Sequence, residues 1–467
     1  MRGFQRNFVK AYYMEREGLE DYILTWEKFV EFFPPLPQPL AKKDFVERFK
    51  VLYAHPLTLE EVKDRFPPED LRVKNFDKIC DYFYDVVVLH RYEYLEQFFN
   101  NYLRWRTPDE LDWTEHALLH TTTGKDGEDK LISLQKNDCS RRLVRNLFYR
   151  ELLDTTRITN TANNKWSFWA ILINLYNNLT LDGRWFAPSS ISLMLKPKNK
   201  KAQSTNYNAM FYLLQAYQPK ASILNPYTVK WILTHLLTPE PNPIQSSSRA
   251  RTRKTRGLRL FSPELSWGSF ALGFLESDGW TDYVGIDVLP RACAIVRAMG
   301  REGTGREGKK ITTICQPSED VAKEITTRST KSASAFAKYK NYFDACIVCP
   351  PYYDMEIYTD PTGEQSTTKY KTYEEWLTGY WTPTARLCSV ILRKNGLLGI
   401  ILNNYKSLAG VDHNLKTEMI ALLPHNLRLM DKYYLVNRTS PLRENAKDRT
   451  ETLFIFQKNP EKTPSPL

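Results

Sequence analysis

A cysteine, two prolines and a tyrosine follow a short apolar run in the carboxy-terminal half of the chain. The run covers residues 343–348, and Cys349-Pro350-Pro351-Tyr352 comes directly after it. We predict a buried strand that stops at Cys349, because the prolines forbid its continuation. At the carboxyl end of a strand in an open α/β sheet, such a corner presents backbone carbonyls and an aromatic face to a ligand crevice. These residue types favour the binding of a flat ring.

This corner resembles motif IV of the S-adenosylmethionine-dependent DNA amino-methyltransferases, which is usually written (D/N/S)PP(Y/F/W). The following blocks are similar to a mostly viral and phage branch of that family, in which SPPYFDLEIY precedes QS and YEEWL. The resemblance covers residues 200 to 458 approximately. Its matching residues after the corner are Asp354, Glu356 and Tyr358, then Glu364-Gln365-Ser366 and residues 373–377.

The resemblance implies transfer of a methyl group from S-adenosylmethionine to N6 of adenine or N4 of cytosine in a flipped-out base. It assigns the catalytic positions to Cys349, Pro350, Pro351 and Tyr352. In such a site the first side chain and a proline carbonyl accept hydrogen bonds from the amine, while the tyrosine stacks on the base. A thiol is a poor acceptor. We expect the cysteine to cost about 1 kcal/mol relative to serine, and about 1.5 to 3 kcal/mol relative to aspartate.

The same resemblance places the cofactor where a predicted strand, a tight turn and a helix N-terminus follow one another. The family form of this motif I is DPxxGWG, and Pro263, Trp267 and Gly268 match it. Serine replaces the acid, at Ser262, and the first glycine, at Ser266. We expect strain at Ser266, because a residue with a side chain is costly at positive φ.

Three further residues complete the cofactor site that the resemblance implies. Asp287 ends a second predicted strand about twenty residues after Gly268, which fits the acid that binds ribose hydroxyls in nucleotide-binding folds. Ser318 and Glu319 follow a third predicted strand and are the candidates beside the adenine ring. A helix cap at Asp287 and ordinary loop chemistry at the other two are the alternatives. The proline-initiated helix that begins at Asn225 is similar to motif X of the family.

The cysteines predict neither a metal site nor a covalent nucleophile. Cys346 and Cys349 have the spacing of a metal-binding pair, but residues three apart on a strand point to opposite faces. A nucleophilic Cys349 is disfavoured, because no nearby histidine or arginine would activate its thiol. The 7 cysteines are odd in number and scattered, so we expect a reducing intracellular compartment, cytoplasm or nucleus, or a virion.

The charge of the chain predicts an acidic polymer as its partner. The 467 residues carry a formal net charge of +11, and phosphate contacts supply most non-specific affinity for DNA. RNA stays open as an alternative. We expect no membrane segment, because no apolar run is long enough to span a bilayer. An insert at 238–257 is either a solvated loop or a phosphate-binding segment. Its candidate nucleic-acid contacts are Arg249, Arg251, Arg253, Lys254 and Arg256.

The predicted fold class is α/β, a Rossmann-like methyltransferase fold with a mainly helical amino-terminal domain. Residues 1–140 form this helical domain, 141–199 a helical connector, 200–458 the methyltransferase-like domain and 459–467 a tail. The first segment shows apolar spacings of three and four between proline clusters. It serves either for packing and binding of assembly partners, or for recognition of DNA.

Two functions from different classes remain compatible with the sequence. The first is a DNA methyltransferase whose activity is weakened by the substitutions in motifs I and IV. The second is a pseudoenzyme that keeps the fold and the basic surface as a nucleic-acid-binding or structural component, for example of a viral assembly. Both predict the same sheet, and they differ in whether the crevice binds S-adenosylmethionine.

Overall fold

The computed structural model describes most of the chain after residue 256 and shorter stretches before it. The described residues are 18–38, 40–48, 50–51, 60, 63–64, 67–106, 120–123, 130–133, 140–153, 168–181, 191–192, 194–195, 223–239, 256–302, 308–326, 336–355, 364–407, 410–436, 447 and 450–459. The strands are β1 (Lys50–Val51), β2 (His120–Thr123), β3 (Lys130–Ser133), β4 (Thr180–Leu181), β5 (Leu258–Ser262), β6 (Trp280–Asp287), β7 (Lys310–Cys315), β8 (Phe343–Val348), β9 (Leu392–Leu402), β10 (Tyr405–Lys406), β11 (Asp412–His413), β12 (Leu427–Val436) and β13 (Thr452–Lys458).

Helices alternate with these strands over most of the described chain. None of the helices in the described ranges combines the length and apolar character that crossing a bilayer requires. The α-helices are α1 (Trp26–Val30), α2 (Lys42–Arg48), α3 (Leu71–Lys74), α4 (Phe76–Tyr84), α5 (Arg91–Phe98), α6 (Ser140–Leu147), α7 (Tyr149–Leu153), α8 (Phe168–Ile173), α9 (Pro226–His235), α10 (Ser269–Leu275), α11 (Pro290–Glu302), α12 (Ser318–Thr326), α13 (Ser366–Lys369), α14 (Tyr373–Trp376), α15 (Thr382–Ile391) and α16 (Leu415–Ala421). Wide π turns extend four of them over Asp85–Leu89, Phe99–Leu103, Asn174–Asn178 and Leu377–Trp381, and short 3₁₀ turns occur at Leu19–Tyr22, Ser266–Gly268 and Ala337–Tyr339.

One mixed sheet of nine strands, in the order β2-β3-β12-β13-β9-β8-β5-β6-β7, forms the centre of the fold. The strands from β9 to β7 are parallel to their neighbours, whereas β13 is antiparallel to both β9 and β12. Helices connect the parallel strands, as crossover connections require. Alternating strands and helices with this reversal of strand order confirm the predicted α/β, Rossmann-like fold.

Both faces of the parallel part of the sheet are covered by helices. Because successive side chains of a strand point to opposite faces, Leu260 and Ala345 pack with α9, α10 and α11. Phe261 and Cys346 pack on the other face with α12, α15 and α16. Burial on both sides explains why these strands are nearly continuous apolar runs in the sequence.

A second core occupies the amino-terminal part of the described chain. Its aromatic side chains pack edge to face and tilted around Phe29, whose ring lies within contact of Phe33, Phe98 and Trp169. These contacts join α1, α5 and α8. The mainly helical character predicted for residues 1–140 fits this part of the region, since burial of one apolar helix face requires such a partner.

The strands β2 and β3 belong to the predicted helical region but lie in the main sheet. β3 pairs with β12 in parallel, and β2 pairs with β3 at the edge. Four-residue strands with polar sequences such as His120–Thr123 carry no alternating pattern, so the sequence did not distinguish them. The sheet therefore takes strands from both sides of the predicted boundary at residue 140.

Asn146 on α6 joins the two cores through its buried amide. The amide nitrogen donates to the backbone carbonyls of Leu24, at 2.9 Å, and Leu103, at 2.7 Å, and the amide oxygen accepts from the Leu24 N–H at 3.0 Å. The helix that carries Asn146 also contributes Val144 and Leu147 to the core beneath the sheet. One polar side chain thus satisfies three backbone groups that no water reaches.

We predict that Asn146→Ala lowers the free energy of unfolding by about 3 kcal/mol, because it leaves three buried backbone groups without partners. Urea denaturation followed by circular dichroism measures this. Asn178→Ala, which removes an exposed amide on the surface of the second core, is the control and changes the free energy by less than about 0.5 kcal/mol. An equally small effect of Asn146→Ala would contradict the assignment.

Candidate functional site

The strand order reverses at β5, which lies between β6 and β8. The chain proceeds from β5 to β6 and β7 on one side, and later from β8 to β9 on the other. In open α/β sheets such a reversal leaves a ligand crevice at the carboxyl ends of the strands. A cavity of about 180 Å³ lies there, which exceeds the roughly 150 Å³ that suffice to hold a benzene molecule.

This cavity brings together nearly all of the catalytic and cofactor positions that the resemblance implied. Gly268 is the exception, since it begins α10 in the buried layer beside Phe148 and Met299. The predicted residues that line the cavity are Pro263, Trp267, Asp287, Ser318, Glu319, Cys349, Pro350, Pro351 and Tyr352. The carboxyl ends of four parallel strands position these side chains, which is why distant segments of the sequence meet here.

The turn after β5 has three successive residues in the left-handed region. The φ angles are 45° at Ser266, 53° at Trp267 and 77° at Gly268. Only glycine adopts this region without a penalty, so the strain predicted at Ser266 is present. Ser262, at the position of the lost acid, shares a hydrogen bond of 2.6 Å with the buried Tyr283 hydroxyl. Its side chain therefore serves the sheet and does not line the cavity.

Asp287 lines the cavity and also caps the turn that follows β6. The backbone N–H of Leu289 donates to its carboxylate at 3.0 Å, and the N–H groups of Leu265 and Val288 donate as well. Burial nevertheless raises the pKa of Asp287 to about 6, because desolvation of the charged form outweighs these hydrogen bonds. Asp287 therefore caps the turn, which was the alternative role, and also stays available as the predicted ligand of the ribose.

Glu264 also lines the cavity, although its place at a variable position of DPxxGWG did not mark it as a site residue. Its Oε1 accepts a 2.5 Å hydrogen bond from the backbone N–H of Cys349. Its Oε2 is buried and has no hydrogen-bond partner among the described residues. Burial raises the pKa of Glu264 well above its ordinary value, and Asp287 adds to the effect by charge repulsion. An acid directly after a strand and a proline was the available signal.

A segment at 364–370, here called the strap, closes one side of the cavity. Glu364, Gln365, Ser366 and Tyr370 of the strap line it. Lys369 anchors the strap, because its Nζ lies 2.7 Å from carboxylate oxygens of both Glu319 and Glu364.

Glu319 contacts the strap and Ser318 contacts α15. The hydroxyl of Tyr370 donates to Glu319 at 2.8 Å, in addition to the ion pair with Lys369. Ser318 shares a hydrogen bond of 2.9 Å with Thr384 on α15. Both residues, which were predicted to lie beside the adenine ring, line the cavity. The strap fixes the position of Glu319, and α15 fixes that of Ser318.

The described lining of the cavity contains acidic side chains but no basic ones. Among its described lining residues none is lysine, arginine or histidine, and the acids are Glu264, Asp287, Glu319 and Glu364. Lys369 compensates the last two from behind the lining. Glu264 and Asp287 retain raised pKa values, and the cavity therefore favours a ligand that brings its own positive charge.

An aromatic wall covers the corner after β8. The Tyr352 hydroxyl accepts a 2.5 Å hydrogen bond from the Asn403 N–H, and its ring stacks on Tyr405 with centroids 5.5 Å apart. The Tyr405 ring in turn stacks on His413 across the β10–β11 pair. One face of Tyr352 is therefore covered by protein, which fixes the orientation of the ring at the edge of the cavity.

The two cysteines of the CxxC spacing lie in different environments. Cys346 is buried in the core on one face of the sheet, whereas Cys349 lines the cavity. The expectation that the two side chains point to opposite faces agrees with this placement. No group of three or more potential metal ligands occurs within the described residues.

Arg256 lies at the opposite end of β5 from the cavity. Its guanidinium pairs with Asp344 at 3.0 Å, and Asp344 also pairs with Arg393 at 2.6 Å. The end of the basic insert therefore lies at the amino end of β5, because a segment that leads into a strand reaches that end first. The other predicted nucleic-acid contacts, Arg249, Arg251, Arg253 and Lys254, lie outside the described residues.

Solved structures resemble parts of this chain at low sequence identity. No protein-family model matches the sequence, and no curated protein gave a significant match. Three solved structures illustrate the similarity. TrmN from Thermus thermophilus matches 51% of this chain at 13% identity and a TM-score of 0.30, and the match spans only half of the TrmN chain. The N-methyltransferase NodS from Bradyrhizobium japonicum matches 44% of this chain and 86% of its own at 14% identity, with a TM-score of 0.25. The [4+2]-cyclase SpnF matches 44% of this chain and 75% of its own at 15% identity, with a TM-score of 0.27. These values are too low to indicate an activity or a substrate.

We predict that Ser266→Gly raises the free energy of unfolding by about 1 kcal/mol, because glycine adopts positive φ without a side-chain clash. Thermal and urea denaturation measure the change. The matched control is Ser269→Gly in the right-handed first turn of α10, which lowers the free energy of unfolding. A loss of stability in both variants would contradict the left-handed backbone at Ser266.

Proposed function

We propose that the protein binds S-adenosylmethionine in this cavity and transfers the methyl group to the exocyclic amine of adenine or cytosine in DNA. The observation that carries the proposal is the acidic lining without a described cation. S-adenosylmethionine carries a sulfonium and an ammonium group, and both match buried carboxylates. A phosphate-bearing nucleotide would instead require basic side chains or free N–H groups.

The residues around the strand ends fit the parts of this cofactor. Asp287 ends β6, which lies next to β5, the strand before the glycine-bearing turn. Nucleotide-binding folds hold the ribose hydroxyls with an acid at this position. Its carboxylate oxygens have lone pairs beyond those that the backbone uses. When bound, the cofactor supplies an electrophilic methyl group. The protein itself needs no covalent nucleophile for this chemistry.

The corner after β8 supports an amine as the acceptor of the methyl group. A proline carbonyl at Pro350 or Pro351 is a strong hydrogen-bond acceptor that carries no proton of its own. Tyr352 presents the remaining part of its ring at the cavity edge for a flat base. Positioning of the amine against the methyl group supplies most of the rate in such a reaction, because it removes the entropic cost of orientation.

The overall charge supports a nucleic acid as the substrate. With a formal net charge of +11, the chain attracts a phosphate polymer at long range, although the cavity itself is acidic. This separation suits an enzyme that holds the backbone outside and a neutral base inside. Assays on DNA and RNA of the same sequence distinguish the two polymers.

We predict micromolar binding of S-adenosylmethionine at pH 7.5 and about tenfold weaker binding at pH 5, measured by isothermal titration calorimetry. The sign follows from Asp287, whose pKa of about 6 leaves it ionised above that pH and protonated below it. Asp287→Asn keeps an acceptor oxygen for the turn but not the charge. We expect it to bind at least tenfold more weakly at pH 7.5 and to depend less on pH.

Asp278→Asn is the matched control, because Asp278 is an exposed carboxylate at the start of β6, away from the cavity. Its affinity should equal that of the wild type. Absence of wild-type binding at millimolar cofactor would contradict the proposal. That result would favour the pseudoenzyme alternative, in which the fold serves as a nucleic-acid-binding or structural component.

A further inference from the structure

Methylation of an amine requires a hydrogen-bond and proton acceptor, and the side chain at the corner after β8 is only a weak one. The amine needs an acceptor that turns its lone pair toward the methyl group, and it must lose a proton once the new bond has formed. In this chain the side chain after β8 is the thiol of Cys349, which is a weak acceptor. A stronger acceptor beside Cys349 would meet both requirements.

The strand register places Glu264 beside Cys349. Strands β5 and β8 are parallel neighbours, and Phe261 pairs with Cys346. Glu264 and Cys349 each lie three residues further along the chain, just beyond the carboxyl ends of β5 and β8, and the two turns meet there. The 2.5 Å hydrogen bond from the Cys349 N–H to Glu264 Oε1 is the direct result. Both residues line the cavity together with Pro350.

Glu264 is the lining acid whose side chain retains an unused oxygen. Glu319 and Glu364 pair with Lys369, and three backbone N–H groups donate to Asp287. Glu264 Oε2, in contrast, is buried and has no hydrogen-bond partner among the described residues. A buried polar atom without a partner is costly, and such atoms in folded proteins call for an explanation.

The titratable groups that face this carboxyl lie on several neighbouring elements, and those within the described residues include no cation. They are Tyr283 and Asp287 of β6, Cys346 of β8, Cys349 after it, Tyr380 of the π turn and Cys388 of α15. Desolvation and the charge of Asp287 therefore hold the pKa of Glu264 well above its ordinary value. A positive charge placed in the cavity lowers that pKa and favours the ionised carboxylate.

Resting on the proposed function, we propose that Glu264 is the hydrogen-bond and proton acceptor for the target amine, in place of the side chain at position 349. The nitrogen lone pair forms the bond to the methyl carbon, and the carbon–sulfur bond breaks with its electron pair remaining on sulfur. The proton that the nitrogen loses passes to the Glu264 carboxylate and then to water. A positive charge in the cavity favours the ionised form of Glu264, so the acceptor is favoured when the cofactor is present.

The first test measures protons and needs no turnover. Titration of S-adenosylmethionine into the whole protein is repeated at pH 7 in two buffers with different ionisation enthalpies, which gives the number of protons released on binding. Wild type and the Asp278→Asn control release more protons than Glu264→Gln, by up to one. Equal release in Glu264→Gln would overturn the assignment, because it shows that no proton leaves Glu264.

The second test separates rate from affinity. Glu264→Gln keeps an oxygen that accepts from the Cys349 N–H, so the corner stays in place. We expect a single-turnover methyl-transfer rate at least tenfold below that of the wild type, with cofactor affinity within about threefold of it. Cys349→Asp in the Glu264→Gln background restores the rate, since an acceptor returns at the neighbouring position. The wild-type rate rises with pH, whereas that of Glu264→Gln does not.

A second variant guards against a failure of folding. Glu264→Asp keeps a carboxyl but withdraws it by one methylene, and it should lose rate to a similar extent. If Glu264→Gln or Glu264→Asp loses cofactor affinity at an unchanged rate, Glu264 is a cofactor ligand and the inference is wrong. If the wild type transfers methyl groups and Glu264→Gln does so equally fast, the inference alone fails. If the wild type binds the cofactor but methylates neither DNA nor RNA, the proposed function fails.

Discussion

The hydrogen bond from the Cys349 N–H to the Glu264 carboxylate joins the two turns between which the cavity lies. It exists because β5 and β8 are parallel neighbours at the point where the strand order reverses. The bond fixes the turn after β5 against the corner after β8, and the strap then closes the space above them through Lys369. Every feature of the site depends on this meeting of two strand ends, which local sequence cannot produce alone.

The same region combines several unfavourable features. Asp287 and Glu264 have raised pKa values with no cation among the described lining residues, and Ser266 and Trp267 adopt positive φ. A carboxyl whose pKa rises from 3.8 to about 6 on folding binds its proton more tightly in the folded state. Its contribution to stability therefore falls as the pH rises through that range. Concentration of such costs at one crevice is typical of functional sites, where a ligand offsets them.

Local patterns predicted the central strands well. The apolar run before Cys349 reflects burial on both faces of a parallel sheet, Asp287 ends β6 as predicted, and the diproline marked the end of β8. The catalytic and cofactor residues that the resemblance selected, except Gly268, then met at one cavity, because parallel strands share a carboxyl edge. Strand identity and strand direction were sufficient for this part of the site.

Long-range register was beyond the reach of these patterns. Glu264 and Cys349 are separated by 85 positions, and nothing in either segment indicates their pairing. The edge strand β2 and its neighbour β3 have four residues each, so neither has a strand pattern of its own, and β3 lies between β2 and β12. Arg256 was predicted as a phosphate contact from composition, and the direction of β5 places it beside Asp344 at the amino end of that strand. Each of these results depends on which strand lies next to which.

Lining acids without a described counter-cation should select a positively charged adenosine ligand, and two adenosine ligands of opposite charge reveal whether they do. S-adenosylmethionine and adenosine triphosphate share the adenosine moiety but differ in the sign of the charge beside it. Calorimetric titration of each at pH 7.5 should show micromolar binding of S-adenosylmethionine and at least tenfold weaker binding of adenosine triphosphate. Equal or tighter binding of the triphosphate would contradict selection of positive charge by the lining acids and would indicate a phosphate-binding site instead.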